Sequence, residues 1–247
     1  MRRLIIIAVL GVATLAHLPA QSVLASTSWT AAFALAAGAQ EVEVLAPYTY
    51  AHPPEYELRP SDISRVNRAD LIIYAGYETM ASRLVDAAGV DSESLLRINT
   101  IHSWPVIVES VGSIAQELNT VAQAEINLAE IRSFLDQWKD QLAADYPNGL
   151  PGVVHFHQQG LAREIGIDVI GVYGPGPLQA RQIKDLTDLG PVVIIDNGHN
   201  PIGSPLQESS TASLVTWYNF PNDQASATIL DVLKGNRSAL SEVGGVD

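Results

Sequence analysis

VIVESVGSIAQELNTVAQAEINLAEIRSFLDQWKDQLAADYP, Val106 to Pro147, lies in the middle of the chain, and its reading decides how the rest is organised. Ile107, Val111, Ile114, Leu118 and Val121 recur every three or four residues, and Leu128, Ile131, Leu135, Trp138 and Leu142 continue the stripe after a small phase adjustment. That spacing puts the apolar side chains on one helical face. It predicts one long amphipathic helix, or two helices end to end, of roughly 35 residues at about 1.5 Å each. Pro147, Gly149, Pro151 and Gly152 end it.

On both sides of this segment, short β-rich runs alternate with helical patterns. Before it, strands are expected at Ser22–Ser26, Glu41–Leu45, Leu71–Ala75 and, briefly, Leu95–Ile98. Helices are expected at Trp29–Ala37, closed by Gly38, after Ser61 as N-cap with Asp62 in the first turn, and at Glu78–Ala88. After it, strands are expected from Val153–Val154 and at Asp168–Val172, Val192–Asp196 and Val215–Tyr218. Helices are expected at Gln159–Ile165, Leu178–Leu189, Leu206–Leu214 and Ala225–Leu233. Gly171–Gly176 is Gly-rich but carries Pro175 and no Lys-Ser/Thr ending, so it reads as a turn and not a phosphate loop. Alternation of this kind argues for βαβ units and parallel sheets. The expected fold class is α/β: two small α/β lobes, 21–105 and 149–247, with mainly parallel sheets, joined by a long backbone helix across 106–148.

Composition narrows the function. Among 247 residues there are 14 Lys and Arg against 27 Asp and Glu, a net charge of −13, with no Cys and six His. Without Cys there is no disulfide framework, thiolate zinc site, iron–sulfur cluster or Cys nucleophile. An acidic chain is a poor candidate for nucleic acid. Residues 1–20, with Arg2 and Arg3 before an apolar run from Leu4 to Leu18 and a Pro19-Ala20 exit, read as a signal peptide or N-terminal anchor. The body is therefore expected in the periplasm or on the extracellular face of the membrane.

Five His remain beyond that segment: His52, His102, His155, His157 and His199. All fall just past expected strand ends, split between the lobes. Ligands of open α/β sheets bind outside the carboxyl ends of the strands, and imidazole is the commonest metal ligand. His157 lies two residues from His155 and faces the opposite way if the strand continues. Trp29, Trp104 and Tyr56 are read as lobe-packing residues rather than a ligand cage. Asn236-Arg237-Ser238 matches the N-glycosylation triplet.

EYELRPSD at Glu55–Asp62 followed by ADLIIYAG at Ala69–Gly76 resembles the N-terminal lobe of the zinc/manganese substrate-binding proteins of ABC importers, the cluster A-I family. STSW at Ser26–Trp29, Ile101-His102-Ser103-Trp104, and Val153-Val154-His155 with Ala162-Arg163 and Gly166-Ile167 are similar to further elements of that family. The resemblance implies a metal held between the lobes by three His and a carboxylate, or by two His and two carboxylates, with small lobe movement on binding. It places His102 and His155 on the second and third ligand positions. Two positions depart: the first His is replaced by Pro54, with His52 two residues earlier, and the final carboxylate aligns near Asn219, with Asp196 and His199 as nearby replacements. The His/Asp-rich loop of zinc members is absent. Either two ligands are relocated or the ligand has changed.

These readings together imply a monomeric binding protein, not an enzyme. It captures a divalent metal ion through His52, His102, His155 and His199 and hands it to the membrane permease of an ABC importer. The imidazole-rich set favours Zn2+ over Mn2+. Asp196, His157 or Asn219 are the candidates to complete the site. Two alternatives stand beside it: the same fold holding a metal chelate, siderophore or haem-like ligand, and a zinc-dependent hydrolase using His155, His157 and His199 with Asp196 or Glu208 as base.

Overall fold

A computed structural model describes residues 21–50, 52–87 and 94–242. The expected signal or anchor segment 1–20 lies outside the described residues. Among those described, no helix is long and apolar enough to cross a membrane.

The first lobe runs β1 (Val23–Ala25), α1 (Ser28–Ala36), β2 (Val42–Val44), α2 (Pro60–Val66), β3 (Leu71–Tyr74), α3 (Met80–Ala87) and β4 (Leu95–Arg97). Its four strands are all parallel, in the order β2-β1-β3-β4. α4 (Trp104–Leu118) and α5 (Val121–Asp145) follow. The second lobe runs β5 (Pro151–His155), α6 (Gln159–Glu164), β6 (Asp168–Tyr173), α7 (Ala180–Thr187), β7 (Val193–Asn197), α8 (Ser204–Glu208), β8 (Ser213–Trp217) and α9 (Ile229–Ser241). Its strands are again all parallel, in the order β6-β5-β7-β8. Central strands such as LIIY and VIIDN read as unbroken apolar runs because helices cover both faces of a parallel sheet.

The two-lobe α/β architecture expected from the sequence is present, with several local corrections. The long helix is two helices. Asn119 adopts φ 56°, ψ 36°, a left-handed conformation that Asn tolerates and that ends a helix. The break has a use: Thr120 Oγ1 donates to the Ala37 carbonyl and Asn127 Nδ2 to that of Ala36 at 3.0 Å, satisfying carbonyls left open at the end of α1. Ser61 is not the cap of α2. Pro60 starts that helix, and the Asp62 carboxylate accepts from the Arg59 backbone N–H at 2.8 Å. Helix α8 stops at Glu208, so Leu214 belongs to β8 instead. α9 starts at Ile229, capped by the reciprocal Thr228–Asp231 box, and extends to Ser241. Asn236 is buried and bonds both the N–H and the carbonyl of Tyr218, so the Asn-Arg-Ser triplet does not present an acceptor for glycosylation.

One apolar core crosses from lobe to lobe. It joins Phe33 of α1, Val111 and Ile114 of α4, Leu135 and Trp138 of α5, Leu161 of α6, Trp217 of β8 and Leu233 of α9. Trp138 and Trp217 meet edge to face at 5.4 Å. Arg132 of α5 pairs with Glu164 of α6 at 2.6 Å and lies over the Trp104 ring at 5.1 Å. The connecting helices are thus built into both lobes along their length.

Candidate metal centre

In each sheet the strand order reverses at one place, between β1 and β3 and between β5 and β7. A ligand of an open parallel sheet sits outside the carboxyl ends of the strands at that switch point. The two switch points face a shared cavity of about 1120 Å3. Thr27 follows β1, Ala75 and Tyr77 follow β3, His157 follows β5, Asn197 ends β7 and His199 follows it, and all line the cavity.

His52, His102 and His199 line the same cavity. His52 is exposed, in the turn before Pro53–Glu55. His102 lies at the foot of α4, and its Nδ1 is buried with no hydrogen-bond partner. Burial without a compensating charge lowers its pKa from 6.5 to about 4. His199 stacks on Phe220, ring centroids 3.4 Å apart, with its edge toward Tyr218. Its Nε2 lies 3.2 Å from the Phe220 carbonyl; with that nitrogen donating, Nδ1 carries the free lone pair. Desolvation outweighs this bond and lowers the His199 pKa to about 4 as well. Both rings are neutral at pH 7, the form a metal requires.

His155 does not line this cavity. It is fully buried at the end of β5; its Nδ1 accepts from the His157 N–H at 3.2 Å, and its Nε2 lies against Gly174, where a Cβ would come within 2.7 Å. Desolvation, reinforced by His157 and opposed by Asp196, lowers its pKa to about 4. His157 faces the cavity instead, because the chain leaves β5 into a single tight turn, Phe156–Gln158, and the strand alternation stops. Asp196 is buried and committed: it accepts from the Tyr173 hydroxyl and the backbone N–H groups of Asn197, Ile202 and Gly203, at 2.7–3.3 Å. Those four donors shape the loop that carries His199 and leave Asp196 a supporting group, not a wall residue. Asn219 lines the cavity with its buried Oδ1 unpartnered. Among the described residues, no group of three His, Asp or Glu is close enough together to hold a metal as the side chains stand.

Trp29 was expected only to pack lobes. It stacks on Phe220 at 5.2 Å, across the interlobe boundary, and also forms cavity wall. Tyr56 and Trp104 are packing residues, Tyr56 donating to buried Asp62 at 2.9 Å. Sequence reasoning missed Arg97, Tyr77, Asn197 and Phe220 as wall residues. The signal for Arg97 and Asn197 was available, since each is the last residue of a strand at the ligand-facing end. Gly160 was also missed: a Cβ there would meet the His102 carbonyl at 2.5 Å, so only Gly lets α6 abut the His102 turn.

No protein-family model matches the chain, and no curated protein matches it. Solved structures do. The SBP FpvC of Pseudomonas aeruginosa, in complex with Ni2+, superposes with a TM-score of 0.70 at 18% identity, covering 92% of this chain and 98% of that one. The laminin-binding adhesin Lmb of Streptococcus agalactiae, in a mutant form, gives 0.64 at 16%, covering 91% and 98%. A ZnuA deletion mutant with zinc bound gives 0.62 at 17%, covering 92% and 99%. This chain therefore shares the two-lobed α/β fold of these structures, the fold that the sequence resemblance implied.

Proposed function

We propose that the protein is an extracytoplasmic binding protein, not an enzyme, that captures a divalent metal ion between its lobes and delivers it to an ABC importer permease. The observation that carries this reading is the interlobe cavity at both switch points, into which separate loops bring His52, His102 and His199. Two buried polar atoms there, His102 Nδ1 and Asn219 Oδ1, lack any partner; a buried group left so costs about 1–3 kcal/mol unless a ligand satisfies it.

Zn2+ is the proposed cargo, ahead of Mn2+, because neutral imidazoles bind it by ligand type and by affinity order. His52, His102, His155 and His199 are the proposed ligands. For His155 this requires its ring to turn away from Gly174, and the adjacent His157, already on the cavity wall, is the replacement if it does not. The protein acts as a monomer, with α4 and α5 a stiff connection. Calorimetric titration with Zn2+, Mn2+ and Ni2+ tests this. His102→Ala is expected to weaken zinc binding by at least about tenfold, or about 1.4 kcal/mol. Unchanged affinity in both His102→Ala and His199→Ala removes the site assignment.

A further inference from the structure

The cavity wall has a charge that does not suit a bare cation. The chain carries 27 Asp and Glu, yet none of them lines the cavity among the described residues, and the one ionised side chain that does is Arg97. Arg97 ends β4 and is exposed to solvent, anchored at one point: its Nε donates to the Ala75 carbonyl at 3.3 Å and its guanidinium lies over Gly76, where a Cβ would come within 2.3 Å. Gly76, at φ +89°, is what lets the side chain lie there. Among the described residues no carboxylate is within ion-pair distance of Arg97. A divalent ion bound only by neutral imidazoles here keeps its full charge, and the one ionised side chain on the same wall carries a like charge. The size is also wrong for an ion alone. A metal with a coordinated water needs little more than the roughly 30 Å3 of a water molecule, whereas about 1120 Å3 is slightly above the range of pockets that hold organic molecules, about 300–1000 Å3. Trp29, Tyr77, Phe156 and Phe220 supply apolar wall that an ion does not use.

We propose that the cargo enters as a complex of the divalent metal with a small polycarboxylate chelator, the metal taking imidazole ligands in its open positions and a chelator carboxylate pairing with Arg97. The negative charge that the wall lacks then arrives with the ligand. A guanidinium fork is the side chain best matched to a carboxylate, and the aromatic wall covers the carbon frame of the chelator. This inference rests on the metal-binding reading above.

The test uses residues 21–247 with two probes, Zn2+ alone and the one-to-one complex of Zn2+ with nitrilotriacetate, which leaves positions on the metal open. Calorimetry gives the affinities, and native mass spectrometry of the unsubstituted protein weighs what is bound. The expected result is a bound mass that includes the chelator, with the complex held at least tenfold more tightly than the ion. Arg97→Gln should weaken the complex at least tenfold and strengthen the bare ion, while Arg97→Lys restores part of the preference for the complex. Thermal melting checks that the variants fold. A bound mass of protein plus zinc only, or Arg97→Gln binding the complex as tightly as the native chain, overturns the chelate inference and leaves the metal reading standing. Failure of both probes to bind overturns both.

Discussion

At the scale of single residues, the site is decided by which side chains are kept neutral and which are left without partners. His102 is the clearest case. Its pKa of about 4 means that protons compete weakly with metal. The part of the zinc affinity that His102 supplies, read as the difference between the native chain and His102→Ala, is therefore expected to stay nearly flat from pH 7 to about pH 5 and to fall only nearer pH 4, whereas an exposed imidazole would begin losing affinity near pH 6.5. Calorimetry across that range checks it. The same shift acts on folding. The unfolded chain binds the His102 proton from pH 6.5 downward and the folded protein does not until about pH 4. The stability it contributes is present above pH 6.5, declines as pH falls, and is gone below about 4, a loss of about 3 kcal/mol at most for this residue. His155 and His199 add in the same direction. Urea unfolding at pH 7 and pH 5 should show the decline. Asn219 provides a second prediction. Its unpartnered Oδ1 stands where the family resemblance places a carboxylate, so Asn219→Asp should raise the affinity for bare Zn2+ at least about tenfold and lower the melting temperature of the metal-free protein by burying an unpaired charge.

At the scale of elements, two backbone positions matter more than their side chains suggest. Gly160, in the first turn of α6, touches the carbonyl of His102 in the opposite lobe. Gly160→Ala is expected to push α6 off the His102 turn, costing about 1–3 kcal/mol of stability and weakening zinc binding through His102. Denaturation and calorimetry on one preparation separate the two effects. Asn119 divides α4 from α5 and directs Thr120 and Asn127 onto the open end of α1. Replacement by Ala puts an ordinary side chain in a left-handed conformation, at about 1 kcal/mol, with the site unchanged.

At the scale of the whole molecule, the connection between lobes is a packed core and not a flexible strap. α5 and α9 pack against both lobes, Ser28 of α1 donates across to the Pro221 carbonyl at 2.8 Å, and Trp29 stacks on Phe220 at the same junction. A wide hinge would expose much of this shared core. Ligand binding is therefore expected to close the lobes by little, and solution scattering with and without zinc should give radii of gyration that agree within error.

The fold was largely legible in the sequence, because its signals are local. A heptad-like apolar stripe specifies a helix, an apolar run bounded by Gly or Pro specifies a buried strand, and their alternation specifies parallel sheets. Boundaries misplaced at Ser61, Leu214 and Ala225 depended on capping bonds and pairing register that periodicity does not carry. The lining of the candidate cavity was legible in part: His52, His102 and His199 line one cavity, because strand ends can be read from the sequence and open sheets leave their crevice there. Which of His155 and His157 faces it was set by the tight turn at Phe156–Gln158, and whether Asp196 was free depended on four donors from its own loop and Tyr173. The charge of the wall was hidden in the sequence for the same reason. A net charge of −13 is a sum over the chain, whereas the field a ligand meets depends on which side chains the packed lobes bring to the cavity, and there tertiary structure placed Arg97 and kept every described carboxylate away.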